Sequence, residues 1–479
     1  MLNLIKMFQR KDGVSLTKEE IAKLLKCSPK ALQAFENAYQ TQVLDDPALP
    51  ENLFEVNAKQ AVRSLSDEHK DVTEEVDRLI DRIVNELLNQ TEIYSWNGQG
   101  SEDLIEYKRC ADHDPNVTLE EIKALPKELR PQVTGTLMKK DLGAHSCDAL
   151  LYQYQCWKKE TDPKKKQMHY HMFRQGLDIL DLDPITYEML GMNPNSMGHW
   201  LPALVKGVKG STFFKIPATR IMKVPITLLQ LSRTEYAQLT QTTRSIIDRY
   251  CMKAFQLDET KDYFIKTGTH SSKFDFRNAH VHGAQEVREL GEYLMYIQFQ
   301  ASMMAGPLTG ISIYGVSTTN EWVVREFIKD KEANPMIYKG MPLHTEYRLF
   351  VDFDTNNVIG MNPYWDPNVM KQRFGNEPDK DSLHNIHDYV IYLAHEKTLM
   401  SRYETNKERV KAELQQLLPN IDLTGQWSVD IMQNGDDFWI IDMALAADSA
   451  LAECVPKGLL KKPEENWLPI IRESVQKES

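Results

Sequence analysis

The sequence predicts an α+β protein, with a helical first third followed by a half in which strands and helices alternate. Three observations carry this. Apolar residues at helical spacing dominate the early chain. From Tyr263 to Asp442, short runs rich in β-branched and aromatic residues recur between turn signals. The chain also has 479 residues, too many for one ordinary core. We expect a helical N-terminal region over 1–165, a mixed domain over 185–455 and a C-terminal tail over 456–479.

In order, Thr17-Lys-Glu-Glu20 reads as a capping box, and Ile21, Leu24, Leu25, Leu32, Phe35 and Tyr39 follow at mostly helical spacing across Pro29. The segment resembles a helix-turn-helix reader in outline, but the charge of the chain favours an amphipathic hairpin packed on other helices. A second helix begins near Thr73, with Val76, Leu79, Ile80, Ile83, Leu87 and Leu88 on one stripe. Thr118-Leu-Glu-Glu121 is another capping box. Thr161 to Gln167 is polar and lysine-rich and reads as a connector. Beyond Pro184, Phe213 to Pro217 and Arg220 to Pro225 look like short strands punctuated by proline. A helix is expected from about Thr234 to Phe255. Strand signals follow at Tyr263–Lys266, Trp322–Arg325, Tyr347–Phe353, Val358–Ile359, Trp427–Met432 and Phe438–Asp442. Helix at Gln285 to Gln300 and from Ile386 to Leu418 interrupts them.

Composition bounds the function. Hydrophobic residues make up 42% and charged residues 26%, the mix of a globular protein. No run approaches the ~20 apolar residues that span a bilayer, and the apolar start is too brief for a secretion signal. No membrane partner and a cytoplasmic location are therefore expected. The formal charge of −12 disfavours nucleic acid, whose binding requires a positive surface. A basic groove at Lys206, Lys209 and Lys215 would reopen that reading. Six scattered cysteines without a Cys-x-x-Cys read as free thiols. A zinc set can be drawn from Cys147, Cys156, His169 and His171, but its spacing fits no standard zinc pattern.

Three segments carry chemistry. Tyr263-Phe-Ile-Lys266 ends an apolar strand in an ammonium, and Thr267-Gly-Thr-His-Ser-Ser272 is a small polar loop able to approach phosphates through backbone N–H groups. It is neither a P-loop nor a Lys-x-Asp-Gly motif. By itself Lys266 also reads as a strand-end surface residue. Val323-Val-Arg325-Glu326-Phe327-Ile328, followed by Glu346-Tyr-Arg348, supplies hinge-like amides at 327 and 328 for an adenine edge and a guanidinium for phosphate oxygens. A cross-strand ion pair is the plainer alternative. Lastly, Trp427-Ser-Val-Asp430 and Trp439-Ile-Ile-Asp442 flank an Asn434-Gly435 turn. A hairpin there brings two carboxylates together, and such a pair, if both are buried, suits magnesium and repels itself without a cation, whereas a structural role remains open if only one is buried.

The order lysine strand, hinge strand, Glu-x-Arg strand and acid hairpin resembles the ATP-grasp superfamily. The nearest resemblance is to the branch of cell-division-cycle proteins that help assemble a eukaryotic translation initiation factor. That branch has a lysine followed by a Ser-x-Lys-Asp loop, echoed by Lys266 and Ser271-Ser-Lys273-Phe-Asp275. Its Arg-Glu-aromatic-aliphatic hinge is matched by Arg325 to Ile328, its Glu-Phe-Arg by Glu346 to Arg348, and its last two acids by Asp430 and Asp442. The resemblance covers roughly residues 185 to 455 and implies two α+β subdomains enclosing ATP and Mg2+. Lys266 would then contact the α-phosphate, 326–328 would hold adenine, Arg348 would face the phosphates and Asp430 and Asp442 would hold metal. The family's asparagine two residues after the last acid is Ala444 here, with Asp448 or Ser449 as substitutes. The implied activity is a ligase joining a carboxylate to an amine or thiol through an acyl phosphate, for an unknown acceptor; His270, His280 and His282 flank the loop and could serve that acceptor, although any one of them is more often a polar surface residue. Alternatives are an ATP-binding assembly factor holding a protein partner through its helical first third, and an RNA-end-joining or kinase-like enzyme.

Overall fold

The computed structural model describes residues 74–89, 91–98, 106–109, 193–231, 239–304, 319–376 and 383–461, with short stretches between 121 and 191. The capping box at Thr17, the apolar positions from Ile21 to Tyr39, Thr118, Cys147 and His171 lie outside the described residues. Helix α1 (Glu74–Asn89) starts one residue after the expected Thr73. Val76, Ile80, Ile83 and Leu87 bury its stripe, as their spacing requires. The expected connector is instead helical over 163–169. Pro163 fits the first helical position, and Asp162 Oδ1 accepts the N–H groups of Lys164 and Lys165 at 2.9 and 3.1 Å.

Two strands inside the first third, β1 (Glu92–Trp96) and β2 (Glu106–Arg109), were not anticipated. The chain then runs α2 (Met197–Val208), β3 (Phe214–Lys215), β4 (Thr219–Lys223), α3 (Ile226–Leu231), α4 (Gln241–Phe255), β5 (Tyr263–Thr267) and β6 (His280–Val281). Next come α5 (Gly283–Arg288), α6 (Leu290–Met304), β7 (Glu321–Glu326), β8 (Met336–Ile337) and β9 (Met341–Pro342). The rest is β10 (Thr345–Asp352), β11 (Asn357–Pro363), α7 (Pro367–Asn376), α8 (Leu383–Leu417), β12 (Gln426–Asn434) and β13 (Asp437–Leu445). The α+β class expected from the strand and helix patterns is the class observed.

Six strands form one sheet in the order β2-β1-β4-β7-β5-β6, every pair antiparallel. Ile265, Val324 and Met222 from this sheet share a core with α1, α4 and α6. A second sheet, β11-β10-β12-β13-β3, is antiparallel except where β13 meets β3. Ile221 and Val323 of the first sheet join Leu349 and Val429 of the second, with residues of α2 and α8, in another apolar cluster. This shared core fixes the sheets against each other, since apolar burial is the main favourable term in packing. A third cluster, centred on Phe276, Leu343, Trp365 and Tyr392, fills the space beside β8 and β9.

Helices α4 and α6 meet with little clearance at Gly291. A Cβ there would lie 2.7 Å from the Ile247 carbonyl oxygen and 2.8 Å from its carbon, both backbone atoms that cannot swing aside. Gly291→Ala should therefore destabilise the fold by about 1–3 kcal/mol. Urea unfolding checks this; an unchanged midpoint would contradict the packing described.

Candidate functional site

A cleft opens where the two sheets face each other, and Lys266 sits on one of its walls. Lys266 is the fourth residue of β5 and is only 2% exposed. Its Nζ donates to both carboxylate oxygens of Asp442, at 3.1 and 3.2 Å, across to the other sheet. Residues 176 positions apart are thus joined by one ion pair. Lys273, Arg325, Glu346 and Asp430 line the same cleft, as do Glu326, Phe327 and Ile328.

Asp442 faces the cleft because of a β-bulge. From Asn434↔Asp437 to Ile431↔Ile440 the β12–β13 hairpin runs in regular register, after which Asp430 pairs with Asp442 and Ile441 is passed over. Without that extra residue Asp430 would oppose Ile441, and Asp442 would point to the other face. The passed-over Ile441 carbonyl accepts a hydrogen bond from Arg325 Nη1. Arg348 of β10 stands opposite Asp430, so arginine, aspartate and aspartate form one row across three strands.

Arg348 is set back from the cleft rather than lining it. Its Nε and Nη2 donate to the two oxygens of Asp430 at 2.8 and 2.6 Å, and its guanidinium lies 4.7 Å from the Tyr364 ring centre. This bidentate arrangement is the strong form of a charge-assisted pair. Lys273 lies 4.6 Å from the same ring and donates to the Tyr364 hydroxyl. Arg325 Nε bonds Thr219 Oγ1 at 3.1 Å, while its Nη2 is buried with no hydrogen-bond partner among the described residues. A buried, unpaired guanidinium N–H in a cleft wall is a donor awaiting an anion.

Several expectations change. The loop after Lys266 does not offer its first amides to phosphate: Thr267 N–H donates to the His270 carbonyl and Gly268 N–H to that of Glu321, each at 2.9 Å. His270 N–H takes Thr267 Oγ1. Gly268 is needed for packing, because a Cβ would meet Ser196 Oγ at 2.3 Å. At the hinge, Phe327 N–H donates to the Asp262 carbonyl at 3.0 Å and Glu326 N–H to that of Ala218 at 2.9 Å. Among the described residues, Ile328 N–H is the hinge amide that strand pairing leaves unused. The Glu326 carboxylate is exposed and 3.5 Å from Lys261. His270, His280 and His282 do not line the cleft; the His280 ring stacks on Phe327 at 3.9 Å. Lys215 is ion-paired with Asp437 at 2.6 Å, away from the cleft. His344, Tyr364 and Trp365 do line it and were missed, because no spacing rule marks them.

Burial and charge oppose each other throughout. Burial lowers the pKa of Lys266, with Asp442 opposing the shift. Burial takes Arg325 down to about 10. Lys273 is also penalised by burial, but Tyr364, Glu346 and Asp430 more than compensate and raise it. Burial lifts Glu346 to about 7, with Lys273 pulling down and Asp430 pushing up. The cleft therefore presents ammonium and guanidinium groups that water solvates poorly, a surface suited to a polyanion.

The donor set also fits a magnesium ion. Asp430 and Asp442 are cross-strand neighbours, Glu346 is close enough to Asp430 to feel its charge, and all are hard oxygen donors. The expected substitutes for an asparagine at 444 are otherwise engaged. Asp448 accepts from Asn195 Nδ2 at 2.8 Å, and Ser449 bonds Ser428 and the Leu445 carbonyl. Asp330, Glu332 and His344 form a separate group whose potential ligand atoms lie within 4.8 Å of one another. There Arg402 already pairs with Glu332 at 3.1 Å, and Asn334 donates to Asp330.

No protein-family model matches the chain, and no curated protein matches it. Among solved structures it is similar to Cdc123 from Schizosaccharomyces pombe and to a C-terminally truncated form of that protein. Each is 13% identical with a TM-score of 0.34, over 56% of this chain and 94% of that one. What the cleft can bind is set by the side chains that converge on it.

Glu346 gives the site a pH signature. Its folded pKa lies above the unfolded value, so the folded state holds the extra proton between about pH 4.5 and 7 and stability falls as pH rises through that window. Glu346→Gln should remove this slope, leaving the variant more stable than wild type at pH 8 by roughly 2–3 kcal/mol. Urea midpoints from pH 4 to pH 8 test this; parallel curves would contradict it.

Proposed function

We propose that the cleft binds ATP together with magnesium, and that the protein uses this nucleotide as an assembly factor acting on a protein partner. The observation that carries the nucleotide reading is the convergence of Lys266 and Asp442 from distant strands, with Lys273 and the unpaired Nη2 of Arg325 beside them. Lys266, Lys273 and Arg325 supply positive charge along one side of the cleft. Phe264, Phe327, Met341 and Met432 offer apolar walls for a base, beside the Ile328 amide. Asp430, Asp442 and Glu346 would hold the metal, which when bound neutralises phosphate charge. Arg348 keeps Asp430 oriented.

The assembly reading is favoured over a carboxylate–amine or carboxylate–thiol ligase by the methyl group at 444. Ala444 stands opposite Ser428 and leaves the position without a ligand, with its substitutes engaged elsewhere. Nucleotide binding survives that change more readily than phosphoryl transfer, which requires full charge neutralisation. ADP and phosphate release on adding carboxylic acids with amines would instead support the ligase reading. Stable ATP retention without release supports assembly.

Saturating ATP with magnesium should raise the melting temperature by several degrees, as expected when a ligand binds only the folded state. Lys266→Ala and Asp442→Asn should each abolish that rise. Unchanged stabilisation in both variants would reject the site.

A further inference from the structure

The two acids proposed for the metal are each already paired with a cation of the protein's own. Arg348 grips Asp430 through both oxygens, and Lys266 grips Asp442 through both of its oxygens at 3.1 and 3.2 Å. The two pairs differ in what the cation can do. Arg348 also donates to the Ala450 carbonyl and rests on the Tyr364 ring, so it is held where it is. Lys266 has an ammonium with three donors, and Asp442 is the acceptor seen for it among the described residues. Its side chain is 2% exposed against 40% for Asp442. Buried as it is, the ammonium is poorly hydrated away from Asp442, and an anion in the cleft that both groups line is the acceptor best able to draw it off.

We propose that Lys266 guards the metal position. In the absence of nucleotide its ammonium occupies the oxygens of Asp442, and a divalent cation there would share the same carboxylate with a like charge about 3 Å away. A polyanion entering the cleft gives the ammonium a second set of acceptors and releases Asp442 to the metal. Lys266 then couples the two ligands, each tightening the other by the same factor. The nature of the polyanion rests on the ATP reading above; the guarding contact itself does not.

Manganese, as a spectroscopic probe for magnesium, tests this by electron paramagnetic resonance titration of the full chain without nucleotide. Wild type should bind Mn2+ weakly. Lys266→Met, close in length but uncharged, should bind it about tenfold more tightly or better. Lys266→Arg, which keeps the charge, should stay near wild type, and adding Asp442→Asn to Lys266→Met should erase the gain. Lys266→Gln serves the same purpose should the methionine variant fail to fold. Equal Mn2+ affinity in wild type and the uncharged variants overturns the proposal. A parallel titration of wild type with a fluorescent ATP analogue separates the two readings. Nucleotide binding without the Mn2+ gain refutes the guard alone, whereas the gain without nucleotide binding refutes the ATP reading and leaves the guard standing.

Discussion

One extra residue in a hairpin decides which charged side chains meet in the cleft. Passing over Ile441 turns Asp442 onto the face of Asp430 and frees the Ile441 carbonyl for Arg325. Restoring regular register would point Asp442 away from Lys266 and leave a buried ammonium without its carboxylate. A buried charge that loses its partner costs several kcal/mol. The bulge, the row Arg348–Asp430–Asp442 and the Lys266 ion pair therefore stand or fall together.

The surrounding fold serves to hold that row against β5. Ile221 and Val323 of one sheet and Leu349 and Val429 of the other are fully or nearly fully buried in a shared cluster. Because both sheets are anchored to the same core, the cleft between Lys266 and Asp442 has walls of fixed separation. Charges aimed by strands lose little entropy when they engage a ligand, which would suit the proposed recognition of a polyanion through a few cations.

Much of this was legible in the sequence. Each strand expected from Tyr263 to Asp442 is present, because those runs are rich in β-branched and aromatic residues that suit a packed sheet, and two of them, β7 and β12, are buried on both faces. Lys266, Lys273, Arg325, Glu346, Asp430 and Asp442 do reach one cleft. The bulge was not legible, since it appears only as a register shift and any of several residues could be passed over. Strands β1 and β2 escaped because Glu92–Trp96 and Glu106–Arg109 are only five and four residues long, the second of them mostly charged, and they acquire strand form by pairing with β4 and with each other. The expected phosphate loop, 267–272, has the amides of 267, 268 and 270 taken up within the fold for a related reason, while Ser271 lines the cleft. Small polar residues serve a tight packed turn as well as they serve a phosphate, and here Gly268 is pressed against Ser196, Thr319 and Glu321.

A crystal structure of the full chain soaked with a non-hydrolysable ATP analogue and magnesium tests the central claim most directly. The account predicts triphosphate density between β5 and β13, metal density on Asp430 and Asp442, and the Lys266 ammonium moved from Asp442 onto phosphate oxygens. Nucleotide bound elsewhere, with the Lys266–Asp442 pair intact, would contradict it.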